Sequence, residues 1–106
     1  MRRIAMPAYV VARITLHDPE RYKDYIAGFY PSFRRHGGVA LASTRQRTTV
    51  LEGDWGDART VILQFPDREA AEAWHADPEY RALATIRHEA ASSTLVLVDG
   101  LEETAP

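Results

Sequence analysis

The segment FPDREAAEAWHADPEYRALATIRHEA, residues 65–90, constrains the fold more than any other part of the chain. It is a run of strong helix formers with a helix-start signal in its middle. In HADPEY, Asp77 suits an N-cap, Pro78 a first helical position, and Glu79 the positive end of a helix dipole. Residues 67–90 are therefore predicted to form two helices, the second capped by Asp77. The change of direction lets Trp74 and Tyr80 both reach inward.

The same order of residues occurs once more, in HDPERY at 17–22, and marks the start of another helix. There Asp18 caps, Pro19 comes first, and Tyr22, Tyr25, Ile26, Phe29 and Phe33 recur at three- and four-residue spacing. One face of that helix is core. Pro31 is expected to kink or restart it, because its ring clashes with a carbonyl one turn back. Gly37 and Gly38 end it.

The remaining segments read as strands. YVVARITL (9–16) is rich in β-branched residues, with Val10, Ala12, Ile14 and Leu16 forming one apolar face. VALASTRQRTTVLEG (39–53) reads as a long strand or a hairpin-like pair bent at STRQRTT, and GDWGDA as a turn. RTVILQF (59–65) and STLVLVDG (93–100) are further strands. The order β-α-β-β-α-β predicts an α+β, ferredoxin-like domain: a four-stranded antiparallel sheet with helices on one face. The whole of 1–106 is one domain, with 1–6 an extension and 101–106 a polar tail.

Two helices cover only one face of such a sheet. The other carries Tyr9, Val11, Ile62 and part of LVLV, too apolar for a freely solvated surface. The expectation is a homodimer packed sheet against sheet; the alternative is a monomer whose middle segment crosses that face.

Composition narrows the partners. The formal charge of −2 gives no electrostatic reason to expect nucleic acid or an acidic membrane, and no apolar run approaches the length of a membrane helix. With no cysteine, disulfides, thiolate nucleophiles and Cys-based zinc sites are excluded. A cytoplasmic protein is expected. The four histidines show no H-x-x-x-H pairing, so no metal site is expected. Phosphate loops and a G-x-S-x-G elbow are missing too.

The motifs GGVALAS after a helix, LEGDW, VILQFPDREAAEAWHADPEYRAL and the later Arg87 resemble, in that order, a bacterial family of unknown function, the one numbered 1330. That family belongs to the dimeric α+β barrel superfamily, and the likeness runs from about Pro7 to Gly100. It implies a ferredoxin-like fold paired through its sheets, in agreement with the argument from the uncovered face. The sequence departs from the family at His75, where tyrosine more usually follows the tryptophan. The superfamily includes cofactor-independent monooxygenases of aromatic polyketides, haem-degrading enzymes, lactone isomerases and stress-responsive proteins, so fold kinship does not fix function.

The candidate site residues are His36, Glu52, Trp55, Trp74, His75, Tyr80 and Arg87, with no catalytic role assigned to any. His36 ends the first helix, where an imidazolium favours the carbonyl end, or else it lines a pocket. His75 either ends its helix or shuttles protons at the mouth of the helix–sheet cleft. Glu52 and Arg87 are expected to pair; the alternative is an anion-binding Arg87 in a pocket. Trp74 and Tyr80 pack the core or line a cavity. Trp55, in a glycine-flanked turn, covers a partner subunit or a cleft. The expected function is binding or transforming a small apolar or aromatic molecule without a cofactor. The contrasting reading is a non-catalytic dimerisation module.

Overall fold

A computed structural model describes residues 4–101 and 103–104. Its elements, in chain order, are β1 (Ile4–Ala5), β2 (Ala8–Leu16), α1 (Pro19–Arg35), β3 (Val39–Ala42), β4 (Arg59–Phe65), α2 (Arg68–Ala76), α3 (Pro78–Ala90), β5 (Ala91–Asp99) and β6 (Glu103–Thr104). Four strands form one antiparallel sheet in the order β3-β4-β2-β5, with the helices on one face. This is the ferredoxin-like α+β arrangement expected from the sequence. The expected extension and tail lie partly outside the described residues; within them, β1 pairs with β6.

The two strands flanking the centre of the sheet are set by period-two patterning. Val10, Ala12 and Ile14 of β2, with Leu63 and Phe65 of β4, are buried under the helices. In register, Val11 lies between Ile62 and Val96, and Tyr9 between Gln64 and Val98, on the opposite face. Val96 and Val98 there are about half exposed, at 50% and 48%. Residues 43–58 contain no strand, and they meet this face through Thr48, whose hydroxyl donates to Thr60 Oγ1 at 3.0 Å, and through Trp55 at Arg13. Arg13 Nη2 donates to the Trp55 carbonyl at 2.8 Å, and its guanidinium sits 5.3 Å from the indole centre.

The middle segment departs from the expected long strand. Only Val39–Ala42 pairs with β4, and a register shift between Ala40 and Ala42 ends the ladder. Beyond that point β4 continues through Arg59–Val61 without a ladder on this side, and the β-branched TTV at 48–50 stays irregular although the Thr48 hydroxyl donates to Thr60 Oγ1 at 3.0 Å. The final strand begins at Ala91, two residues earlier than expected.

Helix α1 runs through Pro31 without restarting. Phe29 and Phe33 are buried on either side of the proline, with ring centres 4.8 Å apart, and that packing offsets the hydrogen bond it removes. Asp18, Asp67 and Asp77 cap their helices by accepting from backbone N–H groups two or three residues on. Gly37, at φ 78°, turns the chain out of the first helix, and Gly38 N–H then donates back to the Phe33 carbonyl at 3.0 Å, where a Cβ would lie 2.2 Å from the Phe33 ring. Among the described residues no helix is long and apolar enough to cross a membrane.

Candidate functional site

The restart at Asp77 puts Trp74 and Tyr80 side by side, as expected: their ring centres are 4.1 Å apart, and both are buried. Phe65, Phe29 and Phe33 surround the indole at 5.3 to 6.1 Å. From α1, Tyr25 reaches the same place, and its hydroxyl shares a 2.7 Å hydrogen bond with that of Tyr80. Two core tyrosines thus satisfy each other, as buried hydroxyls must. One hydrogen of the pair remains to be donated elsewhere, since only one hydroxyl can donate within it.

Arg87 closes this aromatic cluster from α3, one helical face along from Tyr80. It is 5% exposed. Nη1 donates to Ser93 Oγ on β5, and the guanidinium lies 5.8 Å from the centre of the Tyr25 ring. The expected Glu52–Arg87 ion pair does not form: Glu52 is exposed in the irregular 43–58 segment, and among the described residues no carboxylate lies within ion-pair distance of Arg87. The reason is topological, because β3 ends at Ala42 and Glu52 never joins the sheet.

Between α1 and the sheet these residues line a cleft of about 50 Å³. Its floor is Val10, Ala12, Ile14, Val61, Leu63 and Leu95, and its mouth includes Ile26, Tyr30, Ala40, Ser43 and Thr44. Ile26, expected in the core, is 41% exposed at that mouth. Trp74, Val10 and Leu95 also form a wall of a second hollow of about 350 Å³ on the β5 side. Ala71, Glu72, His75, Val96 and Leu97 complete it. Trp74 Nε1 and Arg87 Nε are buried without hydrogen-bond partners. Native interiors leave few such donors.

The electrostatics follow from burial. Withdrawal from water pushes the Tyr22 hydroxyl up to about 12 against the opposing pull of Arg87. Burial, then the Tyr80 neighbour, pushes Tyr25 far higher, so both stay protonated phenols at neutral pH. Burial works against the Arg87 charge, but Tyr80 and Tyr25 outweigh it and raise its pKa. His75 is lowered by burial and then by Arg81, Arg87 and His88, which favours a neutral imidazole.

The other candidates are dispersed. His75 is mostly exposed, on the second hollow rather than in the cleft. His36 lies at the end of α1 and meets Asp77 Oδ2 at 2.8 Å, where Arg35 also donates at 3.1 Å. Trp55 packs on Arg13 at the uncovered sheet face. Sequence reasoning placed Tyr22 and Tyr25 in the core but missed their part in the cleft. The available signal was a pair of hydroxyls on an otherwise apolar helical stripe. Among the described residues, no three His, Asp or Glu side chains are grouped to hold a metal ion.

The family described as a domain of unknown function, DUF1330, matches residues 7–101. No curated protein matches. Among solved structures, the fold is similar to a protein of unknown function from Rhodopseudomonas palustris, with 24% identity and a TM-score of 0.71 over 94% of this chain and 85% of that one. It is also similar to SnoaB, a cofactor-independent oxygenase from Streptomyces nogalater, at 19% identity and TM-score 0.63, covering 88% and 91% of the two chains. A dimeric ferredoxin-like protein of unknown function from Thermobifida fusca gives 13% identity and TM-score 0.53 over 88% and 90%. At such identities the likeness concerns the fold.

Proposed function

The chain belongs to the DUF1330 family, and on that premise we propose that it binds a small apolar or aromatic molecule in the cleft between α1 and the sheet. The supporting observation is the combination of an apolar, aromatic-walled cleft with buried polar groups that the fold itself leaves unsatisfied. Ligand sites have this make-up: a mostly apolar lining with a few convergent polar groups. An aromatic ring needs roughly 150 Å³, more than the cleft now offers, so entry requires its mouth to widen. Ile26 and Tyr30 are exposed there, so the side chains that rim the mouth are the ones that must move. SnoaB, with the same fold, is an oxygenase that works without a cofactor, which is compatible with chemistry carried by the substrate and the residues of such a cleft.

The uncovered sheet face supports a homodimer. Tyr9, Val11, Ile62, Val96 and Val98 form a continuous apolar patch in register, which residues 43–58 leave open, and the Thermobifida fusca protein with this fold is dimeric. A second copy, packed sheet to sheet, covers it. Sedimentation across a hundredfold dilution checks this; a species of about 12 kDa throughout contradicts it.

The binding reading is tested by titrating 2-naphthol into the wild type and into Ala40→Trp. Ala40 is exposed at the cleft mouth, so an indole there blocks entry without touching the core. Saturable binding lost in Ala40→Trp supports the site. No binding to the wild type, or equal binding to both, refutes it.

A further inference from the structure

Resting on the cleft as a binding site, we infer that its ligand is an aromatic anion, a carboxylate or phenolate whose charged end meets Arg87. The inference comes from an imbalance of hydrogen-bonding character. Arg87 donates only, and cannot shed its proton inside a protein. Its one side-chain partner, Ser93 Oγ, leaves Nε unpaired and the charge unanswered by any carboxylate among the described residues. Trp74 Nε1, also unpaired, is a donor with no acceptor capacity. The Tyr25–Tyr80 pair holds one further hydrogen.

No Asp, Glu or His lines the cleft. A pocket that needed only shape would be served by apolar side chains. In the empty protein the guanidinium is held by the Ser93 hydroxyl, the Tyr25 ring and the neighbouring phenols, with no carboxylate among the described residues to answer its charge. The arrangement becomes more favourable once a planar acceptor meets the guanidinium fork. The surrounding Tyr22, Tyr25, Phe29 and Trp74 rings then hold the ligand's apolar body.

The experiment compares two probes of one shape, 2-naphthoate and the neutral 2-naphthamide, followed by amide chemical-shift titration at pH 7. Wild-type protein is expected to bind the carboxylate about ten- to a hundredfold more tightly, the range for a hydrogen bond to a charged group. Arg87→Lys keeps a reduced preference, because the charge stays and the fork is lost. Arg87→Met binds both probes alike. Arg87→Lys and Ser93→Ala serve as further tests should Arg87→Met not fold, since Ser93→Ala frees the guanidinium and preserves the preference. Equal binding of the two probes to the wild type overturns the anion assignment and leaves the cleft as a site. A preference that survives in Arg87→Met overturns it as well. If neither probe binds, both the assignment and the binding reading fall.

Discussion

Replacing Arg87 by methionine tests directly whether this arginine serves the fold or the ligand. Arg87 is 5% exposed and bonded through Nη1 to Ser93. Removing it forfeits that charged hydrogen bond, ~1.5–3 kcal/mol, and the contact with the Tyr25 ring, ~0.5–2 kcal/mol. Against this, the effective penalty of holding a cation out of water, several kcal/mol, disappears. The apolar contacts of the arginine stem are taken over by the thioether chain, so burial roughly cancels. The losses, ~2–5 kcal/mol together, and the relieved penalty of several kcal/mol nearly cancel, leaving a net change of about zero. Thermal unfolding by circular dichroism is the assay, with about 4–8 °C for each kcal/mol in a domain near this size. An unchanged or raised midpoint is expected. A loss of about 3 kcal/mol or more, the range for breaking a compensated buried pair, would mean that the protein already satisfies this charge and would remove the motive for a ligand.

Three further outcomes follow from the same geometry. Tyr80→Phe strands the buried Tyr25 hydroxyl and should cost about 1–3 kcal/mol in urea unfolding, while adding Tyr25→Phe recovers part of that loss; a double variant less stable than either single one contradicts the pairing. Gly38→Ala drives a methyl group to 2.2 Å from the Phe33 ring and should destabilise by about 1–3 kcal/mol, read by the same unfolding assay; a wild-type midpoint contradicts it. Asp77 is held down from 3.8 to about 2 by His36, the Glu79 N–H and Arg35. Its stabilising contribution is therefore complete above the unfolded value and lost as the pH falls from 3.8 toward about 2. Asp77→Asn should flatten stability in that window, and an unchanged acid profile contradicts the linkage.

The sequence was most readable where one periodicity met one boundary signal. The strand at 9–16 alternates cleanly because one face packs under helices, and Asp77-Pro78-Glu79 announces a helix start by local chemistry alone. Residues 43–58 misled because Thr48, Thr49 and Val50 favour strands intrinsically, whereas the ladder to β4 breaks at the register shift between Ala40 and Ala42 and does not resume along Arg59–Val61. Pro31 misled in the opposite direction: the rule concerns the lost backbone bond, and Phe29 and Phe33 supply packing that the local rule cannot count. Of the candidate site, Trp74, Tyr80 and Arg87 converge on the cleft, since a shared helical face brings the last two together. His36 and Glu52 lie elsewhere, because their positions depend on contacts between distant elements that spacing does not encode. Tyr25 and Ser93 entered through the same kind of long-range contact.

The most direct measurement is where an aromatic guest rests. In a sample of this protein saturated with 2-naphthoate, intermolecular nuclear Overhauser effects are expected from the ligand ring to the side chains of Tyr25, Trp74, Tyr80 and Ile26. Effects confined to Val11, Val96 and Val98 would place the guest on the sheet's open face instead, and the cleft would then be packing rather than a site.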